Sequence, residues 1–172
     1  MLRRMYLIPD DMWARVENGE LLYTPINVVS DDTHTHIYLA GQLPRLPGGE
    51  VPGKTMREQI RQACENIEIG LGHVGATFDD IVTTTTYVLD LKEYYAASDE
   101  RFKFFKINRP ASTLIQVAAL GMPDAKVEIT VEAIIETERL RLGNFKNGLI
   151  RTVEDPSKVE SEWVRVSAQP PS

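Results

Sequence analysis

Thr55-Met56-Arg57-Glu58-Gln59-Ile60-Arg61-Gln62-Ala63-Cys64-Glu65-Asn66-Ile67-Glu68-Ile69-Gly70-Leu71-Gly72, followed shortly by Ile81-Val82-Thr83-Thr84-Thr85-Thr86-Tyr87-Val88-Leu89, is the stretch that decides the fold. Thr55 and Glu58 have the spacing of a capping box, in which each side chain satisfies a backbone N–H that the first helical turn leaves free. Met56, Ile60, Ala63, Ile67 and Leu71 recur every three or four residues, so one helical face is apolar. Gly72 and Gly75 end the run. The β-branched residues that follow predict a strand, with Val82, Thr84, Thr86 and Val88 on one side of it.

Working outward, Leu91 to Ile107 predicts a second helix with Tyr94, Ala97, Arg101 and Phe105 along one side, stopped at Arg109-Pro110. Ser112 to Leu120 and Lys126 to Ile135 predict two further strands joined across Gly121-Met122-Pro123-Asp124. Upstream, Ile37-Tyr38-Leu39-Ala40-Gly41 is a short strand. Leu21-Leu22-Tyr23 and Ile26-Asn27-Val28-Val29 are read as a pair around Pro25, and Asp10 to Val16 as one helical turn. The stretch from Pro44 to Gly53 holds three prolines and three glycines, which excludes a helix or central strand. Beyond Glu136 the chain is polar and aperiodic, with Trp163 to Val166 as an edge strand and a frayed end at Gln169-Pro170-Pro171-Ser172. These elements predict an α+β domain: a single mixed sheet with both helices packed on one face. The other face stays open, and identical copies of the chain are its simplest cover.

At 172 residues the chain has the length of one domain, and its formal charge of −6 disfavours a phosphate backbone as partner. No stretch approaches the roughly 18 apolar residues of a membrane span, and the N-terminus lacks the apolar core of a secretory signal. The single cysteine, Cys64, excludes an intrachain disulfide. The expectation is a cytoplasmic protein with no nucleic-acid and no membrane partner.

Several segments occur in a telling order. They are Gly41-Gln42-Leu43-Pro44, Gly49-Glu50-Val51-Pro52, Gln62-Ala63-Cys64-Glu65-Asn66-Ile67, Thr85-Thr86-Tyr87-Val88-Leu89-Asp90-Leu91, Arg109-Pro110-Ala111, and Val127-Glu128-Ile129 with Glu132-Ala133. Together they resemble the Rid family of reactive-intermediate deaminases, also called the YjgF or L-PSP endoribonuclease family. The resemblance implies a chorismate-mutase-like fold over residues 21–136, an extension at 1–20 and a tail at 137–172. It also implies a homotrimer with ligand clefts between subunits, and no cofactor. The family's imine deaminases hold a substrate carboxylate with the arginine of a Pro-Ala-Arg-Ser motif. Here the motif reads Pro110-Ala111-Ser112-Thr113, so Ser112 stands at the arginine position and offers no charged, bidentate clamp. The family's early tyrosine falls near Asn27, its pocket asparagine on Ser98, and its last-strand glutamate on Thr130, with Glu128 and Glu132 two residues to either side.

The candidate acid/base groups are therefore Glu128 and Glu132, which share a strand face but lie roughly 13 Å apart, so they cannot act together on one atom. Ser112, Thr113 and Gln116 are candidates to hydrogen-bond a substrate. Arg109 is a candidate substitute for the missing guanidinium. Gly41, Tyr87, Ser98, Leu114, Asn27 and Thr130 complete the substrate-binding set, and Tyr23 and Phe104 are further candidates to line the pocket. His34 and His36 share a face without a third ligand near in sequence, so no metal is expected. His73 caps a helix, Cys64 belongs to the core, and Asp99-Glu100-Arg101 is a solvated helix start. The leading functional reading is release of ammonia, with addition of water, from a nitrogen-bearing aromatic or unsaturated acid. The resemblance extends here to hydroxylaminobenzoate lyases and aminomuconate deaminases. The alternatives are a Rid-type imine deaminase, a non-enzymatic small-ligand module, and the ribonuclease of the family's older name, which the acidic balance disfavours.

Overall fold

The structure is a computed structural model, described for residues 2–142, 149–153 and 164–165. The capping box forms as the spacing requires. The Thr55 side chain accepts from the Glu58 N–H, Glu58 accepts from the Thr55 N–H at 3.0 Å, and helix α1 runs from Met56 to Gly72. Its apolar stripe, with Ile60, Ala63, Ile67 and Leu71 fully buried, lies on one face of an eight-stranded sheet.

In chain order the strands are β1 (Arg3–Ile8), β2 (Val16–Glu17), β3 (Glu20–Leu21), β4 (Ile26–Ser30), β5 (His34–Gln42), β6 (Ile81–Val88), β7 (Ala111–Gln116), β8 (Val127–Glu136), β9 (Leu149–Val153) and β10 (Val164–Arg165). The sheet order is β10-β9-β1-β4-β5-β8-β6-β7; β6 and β7 are parallel and the other pairs antiparallel. Alternation sends Val127, Ile129, Val131, Ala133 and Ile135 of β8 into the core. Glu128, Thr130, Glu132 and Ile134 therefore point to the opposite face, which no helix covers.

Several expectations are corrected. Leu21 to Tyr23 does not pair with Ile26 to Val29. Leu21 closes a two-residue hairpin with Val16 instead, and β4 pairs with β5 and β1. Asn18 and Gly19 carry φ of 53° and 84°, the double left-handed turn that an Asn-Gly pair favours. Asp10 to Arg15 is a turn and irregular backbone, not a helical turn, and Val16 opens β2. The extension at 1–20 contributes β1, an internal strand, and the tail contributes β9 beside it. Val164–Arg165 is an edge strand as expected; its neighbours Trp163 and Val166, and the expected frayed end, lie outside the described residues.

The second helix is broken. Helix α2 spans only Leu91–Tyr95, and a 3-10 segment, Ser98–Lys103, follows after Ala97 leaves helical geometry at φ −123° and ψ −3°. The predicted stripe survives the break, since Tyr94, Ala97 and Phe105 are buried. Val82 departs from the face of Thr84 and Thr86 and is exposed, because a bulge between Ile81 and Thr83 inserts one extra residue against β8. The strands at Ser112 and Lys126 are not neighbours, because β6 lies between them. Among the described residues no helix is long and apolar enough to cross a membrane.

Candidate functional site

A second bulge builds the site. Between Leu39 and Gln42 the β5 strand advances three residues while β8 advances two, from Val131 to Ile129. The extra residue falls at Ala40-Gly41, where the Ala40 N–H leaves the ladder to donate to Pro25 O at 2.9 Å. Glu128 crosses directly over Gly41: a Cβ there would lie 1.9 Å from Glu128 Oε1. Only glycine admits this carboxylate to the cleft. The cleft is an open recess of about 240 Å³, walled by Trp13, Arg15, Tyr23, Leu43, Arg45 and Gly121.

Each wall has a local cause. Asn66 on α1 donates to Leu43 O at 3.0 Å and Arg45 O at 2.8 Å, and Gln62 orients its amide by donating to Asn66 Oδ1 at 3.0 Å. The Pro-rich loop is thereby tied to the helix at the residue that carries Arg45. The Arg45 guanidinium lies 3.5 Å over the Trp13 ring, and its Nε donates to Met122 Sδ at 2.7 Å. Trp13 and Tyr23 pack with ring centroids 6.4 Å apart. His73 caps α1, as expected, with its N–H donating to Ile69 O, and its Nε2 lies 2.7 Å from Asp11 Oδ1. This contact fixes the segment that carries Trp13.

The electrostatics follow from burial. Desolvation raises the Glu128 carboxyl above the usual carboxylate range, and Arg45 partly opposes that rise. Burial likewise raises the Tyr23 phenol and lowers Arg45. A half-buried carboxyl raised in this way, beside a cation and a phenol, has the chemistry of a general acid or base.

The other predicted residues divide between two faces. Ser98, Arg109, Ser112 and Leu114 line a separate recess on the helical side, with Arg101 and the rings of Tyr95 and Phe102. There the Ser112 hydroxyl accepts from Thr84 Oγ1 at 3.0 Å, and the Ser98 hydroxyl donates to Tyr95 O at 3.2 Å. Arg109 donates to Phe105 O and lies 5.3 Å over the Phe102 ring, so it does not reach the Glu128 cleft. Gln116 is on the same side, its Oε1 accepting the Leu91 N–H at 3.2 Å.

On the open face Thr113 pairs with Thr85 and so follows Thr130 across the sheet. Tyr87 stands beside Glu128, and Asn27 lies in the row of Tyr6, Tyr38 and Glu132. Glu132 is exposed and outside the cleft. The grouping of Ser112, Gln116 and Glu128 in one site is therefore corrected within a single chain: β7 alternates, sending Ser112 and Gln116 to one face and Thr113 to the other.

Phe104 packs on Phe78 at 5.4 Å and lines neither recess. Cys64 is buried core, its thiol pushed up to about 12 by burial. Glu100, expected on a solvated helix start, is fully buried. Among the described residues no three His, Cys, Asp or Glu side chains form a metal-binding group. Trp13 and Arg45 escaped the sequence reading because neither belongs to a periodic element. The bulge that makes Gly41 obligatory leaves no mark in sequence beyond the glycine itself.

The single sheet, its one helical face and the bulge-built cleft define an α+β class, and the comparisons name the family. The endoribonuclease L-PSP model matches residues 23–135. A RutC family protein of Saccharolobus solfataricus is 35% identical over 98 residues, covering 56% of this chain and 77% of the relative. The human 2-iminobutanoate/2-iminopropanoate deaminase is 31% identical over 99 residues, covering 57% of this chain and 72% of that protein. The solved structure of RidA from the Antarctic bacterium Psychrobacter sp. superposes with a TM-score of 0.64 at 24% identity, covering 76% of this chain and 98% of that one, and so supports the fold. The chain belongs to the endoribonuclease L-PSP family, the Rid or YjgF family.

Proposed function

We propose that this protein is a cofactor-free deaminase that hydrolyses the carbon–nitrogen bond of a small unsaturated, nitrogen-bearing carboxylic acid, with Glu128 as its acid/base. The observation that carries this reading is the Glu128 carboxyl, seated over Gly41 in the open recess and raised by burial. In its acid form Glu128 protonates the imine nitrogen. As carboxylate it then takes a proton from the water that adds to the carbon, which gives a carbinolamine. Glu128 returns that proton to the amino group, the C–N bond breaks, and the hydroxyl proton passes back to Glu128 as the carbonyl forms. The products are ammonia and a 2-oxo acid, and no electrons are exchanged. The name of the human relative supports this substrate class. The net charge of −6 supports a small molecule over a nucleic acid.

A second reading, ammonia release from an aromatic hydroxylamino acid, is favoured by the Trp13 and Tyr23 rings in the cleft wall. In either reading the uncovered sheet face supports assembly of the chain as a homotrimer. The test is ammonia release from 2-iminobutanoate generated in situ and from 4-hydroxylaminobenzoate. The expected result is turnover by the native chain, a loss of roughly a hundredfold in Glu128→Gln, and near-native rates in Glu132→Gln. Absence of ammonia release from both compounds transfers the cleft to the ligand-binding reading.

A further inference from the structure

Arg45 is only 7% exposed, yet among the described residues no carboxylate lies within ion-pair distance of it, and Glu128 acts on it only through its charge at longer range. Among the described residues its guanidinium makes one hydrogen bond, from Nε to the thioether of Met122, and no ion pair with a carboxylate. Thioether sulfur is a weak acceptor, and an arginine cannot shed its proton inside a protein. Its terminal nitrogens make no hydrogen bond among the described residues and are not sealed from solvent, so their donors are free for an anion in the recess that Arg45 lines.

The contrast with the chain's other buried charge is direct. Glu100 is equally hidden and receives Arg61, Lys103 and Arg57. Arg45 instead lines the walls of the Glu128 cleft and of the adjoining recess bounded by Trp13, Gln42 and Asn66. It is also held rigid. Trp13 stacks on one face, and Asn66 grips the Arg45 carbonyl from α1. A guanidinium fixed in advance loses little freedom when it binds a planar anion.

We propose that Arg45 anchors the substrate in this cleft by binding the carboxylate of a small 2-oxo or 2-imino acid, a task that Ser112 and Arg109 do not perform here. This rests on the Glu128 cleft being the binding site. The charge balance selects the ligand class. Arg15 also lines the recess but is paired with Glu17 at 2.6 Å, so Arg45 is the guanidinium left for a ligand; one such cation suits a monoanion, whereas a phosphate dianion would carry its second charge towards Glu128. The flat fork of the guanidinium suits a carboxylate, and the unsaturated carbon next to that carboxylate then lies on the side of Glu128. Within one chain Ser112 lies apart from this cleft, facing the helical recess with its hydroxyl engaged by Thr84.

Calorimetric titration with 2-oxobutanoate, and with its neutral analogue 2-oxobutanamide, isolates the carboxylate contribution without turnover. The native chain is expected to bind the acid at least tenfold more tightly than the amide. Arg45→Met should bring the two within about twofold, Arg45→Lys should keep part of the preference, and Arg109→Met should leave it intact. Equal binding of acid and amide by the native chain, or no binding of either, overturns the proposal, as does a preference that survives Arg45→Met. Should Arg45→Met fail to fold, the native comparison and Arg45→Lys decide. An Arg45-dependent preference without ammonia release would sink the deaminase reading and leave the anchor standing. Turnover of 2-iminobutanoate with KM unchanged in Arg45→Met would do the reverse.

Discussion

Gly41 and Glu128 act as one unit, because the carboxylate occupies the space that any side chain at 41 would need. Gly41→Ala must push Glu128 aside. The obstructing atom is the end of a flexible side chain, so the fold survives while the carboxyl loses its place. Ammonia release should fall as far as in Glu128→Gln, roughly a hundredfold, while the melting temperature moves little. A native rate in Gly41→Ala would show that the position of the carboxyl is irrelevant.

Glu100 is the opposite kind of buried carboxylate. It accepts from Arg61 Nε at 2.6 Å, from Lys103 Nζ at 2.8 Å and from Arg57 at 3.3 Å, and these bonds hold it at about 2, below its ordinary 4.5. Its cover consists of cations that are themselves 40% to 62% exposed, so it is sealed without lying deep. Glu100→Gln should therefore cost about 1–3 kcal/mol at pH 7, the range for a buried polar group stripped of its partner. The folded state releases the Glu100 proton more readily than the unfolded chain does, so the stabilisation is present above about 4.5 and fades as pH falls towards 2. Denaturant titrations of both proteins across that window should converge at its acid end.

At the scale of elements, α1 ties the molecule together. It carries the core stripe on one side, Asn66 and the Arg45 loop at mid-length, and Arg57 and Arg61 against the 3-10 segment. Its start depends on Thr55, and Thr55→Ala should lower stability by about 1 kcal/mol, measured by urea denaturation. No change would mean that packing alone holds the first turn. The helix was legible because its cap and stripe are local patterns of spacing. The second helix was legible only as a stripe. Its buried side chains follow a helical period, but the backbone tightens to 3-10 geometry where Glu100 turns inward to the α1 cations, a requirement set by residues some forty positions away. The Asn18-Gly19 hairpin carries a local mark too, since that pair favours two successive left-handed residues.

For the whole molecule the open sheet face is the dominant fact. Tyr38 is 38% exposed and Ile115 38% exposed on that face, apolar surface that a sheet seldom leaves to water. Light scattering should report a particle three times the mass of one chain at micromolar concentration. A monomer would remove the trimer from the account, and with it any role for a neighbouring copy in completing the cleft. The sheet also reaches further than the family match. Strand β1 precedes the matched residues and β9 follows them, yet both pair within the same sheet.

Helix α1 and its cap, the β6 strand, the α+β class and the family can be read along the chain, because each rests on short-range spacing or on an ordered set of segments. The site arises only on folding. Bulges at Gly41 and Val82 change which side chains share a face, and the pairing partner of a strand is chosen far along the chain. Ser112 and Glu128 lie sixteen residues apart in the sequence, yet alternation within β7 and β8 sends them to opposite sides of one sheet. Arg45 reads as a polar residue in a Pro-rich loop until Trp13, Met122 and Asn66, from three distant segments, close around it. Burial and charge belong to the assembled surroundings of a residue, and no local pattern encodes them.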